Sequence, residues 1–176
     1  VVVDGPVQPY FEPEIDAIKD YLYRGGKLLL ALDPGTKTNL GSLALQLGVE
    51  FKNNYVLDPL GRLVGGGGAT AIGSTYSGSS EITKGFRAMT VFHIASQLRV
   101  AKNKPDGYTV EEVVKSSPQS FSKAELKAGQ VHFTEGKDEM GPLTLVATVN
   151  GKMKEQAGKG PAKDFTAVIA GDSDFT

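Results

Sequence analysis

Three apolar runs in this 176-residue chain end on carboxylates. Val1–Val3 lead into Asp4, Leu28–Leu32 into Asp33, and Ala167–Ala170 through Gly171 into Asp172 and Asp174. In an open parallel sheet, ligands lie outside the carboxyl ends of the strands, so Asp4, Asp33, Asp172 and Asp174 would share that edge. Four carboxylates there could hold Mg²⁺ or Ca²⁺ through oxygen ligands, the basis of a metal-dependent hydrolase. The same residues suit a second use. Aspartate is a favoured turn former that accepts hydrogen bonds from N–H groups two residues on. Asp4-Gly5-Pro6, Asp33-Pro34-Gly35 and Gly171-Asp172-Ser173 are all turn sequences, and this is the commoner role. On it, the Asp172 carboxylate accepts from the Asp174 N–H where the last strand leaves its sheet.

Other chemistry fails on residue type or spacing. The chain has no cysteine, which removes thiol nucleophiles, thiolate zinc sites and disulfides. His93 and His132 are far apart, and neither stands at i, i+4 from another ligand type. No G-x-S-x-G elbow is present, and the serines of "SSPQSFS" fall in a loop, where turn and capping roles are ordinary. The glycine run supplies a formal G-x-G-x-x-A match at Gly66, Gly68 and Ala71, but "IGSTYSGSS" follows it and starts no helix. Glu111-Glu112 and Asp138-Glu139 are sequence neighbours, so on a strand each pair would point to opposite faces. The reading is therefore no catalytic residue, no cofactor and no metal, with the four aspartates as the remaining crevice candidates.

The elements that must position these residues are legible in part. Val1–Val3 read as a strand buried on both faces, because the run is continuous. A helix follows over 13–24, with Pro13 in its first turn, Glu14 and Asp16 at its positive start, and Gly25 at its stop. Ile15, Ile18 and Leu22 share one face of it. Lys27–Leu32 return as a second buried strand, giving a βαβ unit with parallel strands and a right-handed crossover. "TNLGSLALQLGV" is a shorter helix with Leu40, Leu43 and Leu47 on one face and Gly48 at its end. "VEFKNNYVLDP" gives one or two short strands, and 61–80 read as extended or irregular. "MTVFHI" and "YTVEEVVKSS" are strand-like. "PLTLVATVNGKMKE" reads as a strand entering a hairpin with Asn150-Gly151 as its turn. "FTAVIAG" is the last buried strand. The β-rich portion covers roughly 50–160, inside a single α/β domain.

Composition narrows function further. Net charge is -1 with 40% hydrophobic residues, which offers no basic surface to a nucleic acid. The lysines are scattered except in "GKMKEQAGKGPAK", which reads as a solvated loop. No apolar run approaches the ~20 residues that span a bilayer, and no signal peptide is present. A chain that begins inside one strand pattern and stops after another reads as a slice of a longer protein.

"VVVDGPVQPYFEPEIDAIKDYLYRGGKLLLALDP", "TVEEVVKSSPQSF", "GPLTLVATV" and "AVIAGDSDF" together resemble the extracytoplasmic domain of ABC-type transport system auxiliary components, including gliding-motility proteins of the GldG type. The resemblance implies a Rossmann-like, three-layer α/β sheet akin to class I glutamine amidotransferases. It also implies transmembrane helices outside this slice, permease and ATPase subunits as partners, and a place on the extracytoplasmic (periplasmic) face of the bacterial inner membrane. It supplies no catalytic residues. The expectation is a non-catalytic accessory domain acting by protein–protein or surface contact. A solute- or glycan-binding module using the strand-end crevice is the rival, although the tyrosines and phenylalanine nearest the start cluster around the first helix and tryptophan is absent.

Overall fold

The computed structural model describes residues 1–126 and 132–174. Strand β1 (Val2–Asp4) lies parallel to β2 (Lys27–Ala31), joined by helix α1 (Glu12–Tyr23). The Glu14 carboxylate accepts from the Phe11 N–H at 2.8 Å, satisfying a donor at the helix start. Gly25 ends the helix at φ +87°, where its N–H bonds the Leu22 carbonyl and the Gly26 N–H bonds that of Tyr21. Helix α2 (Gly41–Gln46) buries Leu43, with Leu40 and Leu47 flanking it, as the leucine spacing requires.

The remaining elements are strands apart from one 3₁₀ helix. They are β3 (Val49–Phe51), β4 (Tyr55–Leu57), the 3₁₀ helix Pro59–Val64, β5 (Thr70–Tyr76), β6 (Thr90–His93), β7 (Leu98–Val100), β8 (Thr109–Ser116), β9 (Phe121–Lys123), β10 (Thr144–Lys152) and β11 (Asp164–Ala170). The main sheet runs β1-β2-β11-β10-β8-β5-β6, parallel across β1-β2-β11 and antiparallel beyond. Strand β7 pairs with the start of β10 and with β3, while β4 and β9 form a separate pair. The result is a mixed α/β fold dominated by strands.

Register explains where the core sits. Val3, Leu30, Ile169 and Ala147 lie in one row across four strands, and all four enter the same buried cluster. Both helices insert into that cluster, α1 through Ile15, Ile18 and Leu22, and α2 through Leu43, Ala44 and the flanking Leu47. Each fully buried leucine or isoleucine there contributes about 1.5–3 kcal/mol. The expected three-layer arrangement is therefore corrected: the two described helices share one core on one sheet face. Beyond α2 the described chain is strand, loop and the short 3₁₀ helix Pro59–Val64, and the other face is closed largely by the sheet itself. Register shifts against β8 between Thr144 and Val146, and between Val146 and Ala147, bend β10. The curled sheet then wraps Ala31, Val56, Ala71, Phe92, Val114 and Val146 into a second cluster.

Two further expectations are corrected, and the extended-or-irregular reading of 61–80 is sharpened. Strand β1 is an edge with one buried side chain, Val3, whereas Val2 is 66% exposed; with α1 on one face only, a continuous valine run gains no second cover. Residues 61–80 contain a regular strand, β5. Its Gly73 hid it: Val114 and Phe92 crowd that position, at 2.8 and 3.0 Å from where a Cβ would stand, so the strand needs a residue that signals a loop. Asn150-Gly151 is not a hairpin turn. β10 runs through both, pairing Asn150 with Thr166 and Thr109, and the chain reverses over 153–163. Gly151 is required there by Tyr108, whose Cδ1 would lie 2.8 Å from a Cβ.

Candidate functional site

The parallel strands bring three of the singled-out segments to one edge. Asp33, just past β2, accepts from the Ser173 N–H and from the Ser173 hydroxyl, both at 2.7 Å. Gly5 closes over this pair at φ +53°, where a Cβ would stand 2.8 Å from Ser173 Oγ and 3.1 Å from Asp33 Oδ2. Asp172 is buried, and its two oxygens accept from the His93 N–H at 2.6 Å and the Asp174 N–H at 2.9 Å. The Asp174 contact is the one the turn reading requires; the His93 contact ties the end of β11 to strand β6. Burial pushes the Asp172 carboxyl up to about 6, with the Asp33 and Asp174 charges adding to the rise and the two N–H groups opposing it. Asp4 and Asp174 are exposed.

The Asp33 and Asp172 carboxylates serve backbone and hydroxyl donors. Among the described residues no three His, Cys, Asp or Glu side chains converge as a metal site would need. Adding 10 mM Mg²⁺ or Ca²⁺ is accordingly expected to leave the melting temperature unchanged. A site present at 100 times its Kd would instead add about 2.7 kcal/mol, a shift that thermal unfolding reads directly.

A fourth apolar run also ends on an aspartate, Asp58, which the sequence reading does not single out. Asp58 follows β4, is buried, and accepts from the Leu60 N–H (3.0 Å), the Ile72 N–H (3.2 Å) and the Ser117 hydroxyl (2.8 Å). It caps the 3₁₀ helix and holds it to β5. The signal was there in "VLDP", an apolar run ending on Asp with Pro at the first helical position. The serines after β8 are similarly committed: Ser116 and Ser120 hydroxyls lie 2.6 Å apart, and Ser116 Oγ accepts from the Leu143 N–H at 2.8 Å. Ser117 gives its hydroxyl to Asp58, whose carboxylate also holds two backbone N–H groups. Glu111 and Glu112 diverge as adjacent strand residues must, Glu111 onto the Ser77 and Ser79 hydroxyls, Glu112 onto Lys115 and Thr144. Hydrogen bonds from the two serines hold the Glu111 carboxyl below its ordinary value.

A large concavity lies elsewhere. An open cleft of about 1220 Å³ runs between α2, β3, β7, the 102–106 loop and the end of β10. Sequence reading missed it because its walls come from three separated stretches, 45–52, 99–108 and 152–156. Its lining holds no Ser, Thr, Cys or His side chain, and what the arrangement offers is a binding surface.

The fold has a counterpart among solved structures. The mmIFT52 N-terminal domain superposes with a TM-score of 0.62 at 17% identity over 98% of this chain, and the chain spans 64% of the length of that one. At this identity the likeness concerns the fold alone. No curated protein matches the chain in sequence. Among the described residues no helix is long and apolar enough to cross a membrane. The family model described as an ABC-type uncharacterized transport system aligns with residues 1–176, and the chain belongs to that family of auxiliary transport components.

Proposed function

We propose that this chain is a non-catalytic, extracytoplasmic accessory domain of an ABC-type transport complex, of the gliding-motility kind, acting by protein–protein or surface contact. The observation that carries the reading is the family match over the entire chain. The site chemistry supports it. No thiol is present, and the Asp33 and Asp172 carboxylates and the buried serines are used by internal hydrogen bonds. The rival solute- or glycan-binding reading needs an open strand-end crevice, which Gly5, Asp33 and Ser173 fill.

On this reading residues 1–176 are one α/β domain of a longer membrane-anchored protein, with a core akin to class I glutamine amidotransferases. The domain faces the periplasm, contacts the permease directly and the ATPase through it. Affinity purification of the full-length protein from its own membranes in mild detergent tests the role. Permease and ATPase subunits are expected to co-purify; recovery of the protein alone overturns the reading. Protease added to spheroplasts should cleave the domain, whereas protection until lysis would place it on the cytoplasmic side.

A further inference from the structure

The open cleft carries more cations than anions. Lys52, Arg99, Lys102, Lys152 and Lys154 line it, against Glu50 and Asp106, in a chain whose net charge is -1. Three of the five cations are held on the walls. Arg99 pairs with Glu139, Lys52 with Glu50 at 2.9 Å, and Lys152 with Asp164 at 3.7 Å. Lys102 and Lys154 are exposed and have no ion-pair partner among the described residues. They sit on two loops of the same pattern, Lys102-Asn103-Lys104 and Lys152-Met153-Lys154, which the fold sets on one cleft although 50 positions apart in sequence. The segment that reads as a solvated lysine loop thus forms part of a cationic wall.

Between these charges the lining mixes apolar side chains with the amides Gln46, Asn103 and Gln156. Leu45 projects from α2 at 52% exposure while Leu40, Leu43 and Leu47 are buried, and Met153 and Tyr108 line the same cleft. A volume of 1220 Å³ exceeds the roughly 300–1,000 Å³ of small-molecule sites. A polyanionic glycan or a phosphate would satisfy the lysines and leave Leu45 and Met153 uncovered. An extended peptide meets both demands at once.

We propose that this cleft is the docking groove for an acidic peptide segment bearing an apolar side chain, presented by another component of the transport complex. The proposal rests on the accessory role for the source of the segment and on the cleft alone for its chemistry. Carboxylates of the segment meet Lys102 and Lys154, and its apolar side chain covers Leu45 and Met153. Charge complementarity of this type speeds encounter and suppresses wrong partners, and it weakens with salt.

The probe is a fluorescein-labelled octapeptide of alternating Glu and Leu, titrated with the full chain and read by anisotropy. The Glu/Leu peptide is expected to bind, and a Lys/Leu peptide not to. Lys102→Glu combined with Lys154→Glu should weaken binding by about tenfold or more, and Leu45→Ser by about fivefold, the effect of partly losing one buried leucine contact. All three positions are exposed, and matching melting curves establish that the variants are folded. Failure of the Glu/Leu peptide to bind, or binding indifferent to both sets of substitutions, overturns the groove. Equal binding of a Glu/Ser peptide or a sulfated oligosaccharide also overturns it, because the cleft would then read negative charge alone. Co-purification separates the two proposals. If the charge-reversed full-length protein retains permease and ATPase as wild type does, the groove is not their docking site and the accessory role stands. If wild type retains neither, the role itself fails.

Discussion

Replacing Gly171 with alanine is expected to destabilise the chain by about 3 kcal/mol, at the upper end of what overpacking costs. Gly171 lies where β11 ends and the sheet passes to the segment before β7. Its N–H bonds the Leu145 carbonyl at 2.9 Å, and its own carbonyl accepts from the Ser96 N–H at 2.6 Å, so the backbone is pinned on both sides. A Cβ at this position would overlap the Ser96 carbonyl oxygen and carbon. The obstacle is backbone, with no flexible side-chain end that could swing aside. Relief requires the Ser96–Gly171 junction to part, which loosens Asp172 and its hold on His93 as well. Gly68→Ala is the control: nothing lies within 4 Å of its Cβ, and reduced freedom of the unfolded chain should make it neutral or slightly stabilising. Urea midpoints of the two variants check the pair. A Gly171→Ala variant within 1 kcal/mol of wild type would show that the junction yields.

The parallel part of the fold was legible because local chemistry and tertiary packing agree there. Pro13, Glu14 and Gly25 bound α1, and Ile15, Ile18 and Leu22 form the stripe that the sheet accepts. Legibility failed where glycine served tertiary contact. Gly73 and Gly151 lie inside strands because Phe92, Val114 and Tyr108 crowd them, yet in a sequence both read as loop or turn. Layering failed for a different reason. A valine run states that a strand is apolar; whether both faces are covered depends on where later elements go, and here none covers Val2. At the strand ends the turn reading found the Asp172–Asp174 contact, because it spans two residues. The contacts to His93 and from Asp33 to Ser173 span 79 and 140 residues, and no local pattern encodes them. The cleft is the extreme case, since "KNK" and "KMK" become one surface only after β7, β8 and β10 are in place.

Asp172 should make the domain more stable at pH 5 than at pH 7.5, opposite to the usual behaviour of a paired carboxylate. Its carboxyl is raised from 3.8 to about 6. The folded chain therefore binds a proton between those values that the unfolded chain has released. The stabilisation is complete below pH 3.8 and is lost as pH rises through about 6. At neutral pH the charged form carries a cost of about 3 kcal/mol relative to a carboxyl that titrates normally. Between pH 7.5 and 5 roughly 1.4 kcal/mol of this is regained. Glu112, Glu139 and Asp138 run the other way, since interactions with Lys115, Arg99 and Lys123 hold their carboxyls low. Their stabilisation is present above their ordinary values of 4.5, 4.5 and 3.8 and fades as pH falls through the lowered ones, outside this window. The fold keeps a costly carboxylate because two N–H donors, His93 and Asp174, converge on it, and a neutral amide would turn its own donor toward one of them. The measurement is the urea unfolding free energy of wild type minus that of Asp172→Asn at several pH values from 5 to 7.5. Taking the difference cancels the titrating groups that do not interact with Asp172. It should grow in favour of wild type by about 1.4 kcal/mol as pH falls to 5. A flat difference would mean that Asp172 titrates as an ordinary surface carboxyl, and that its two backbone bonds offset its burial.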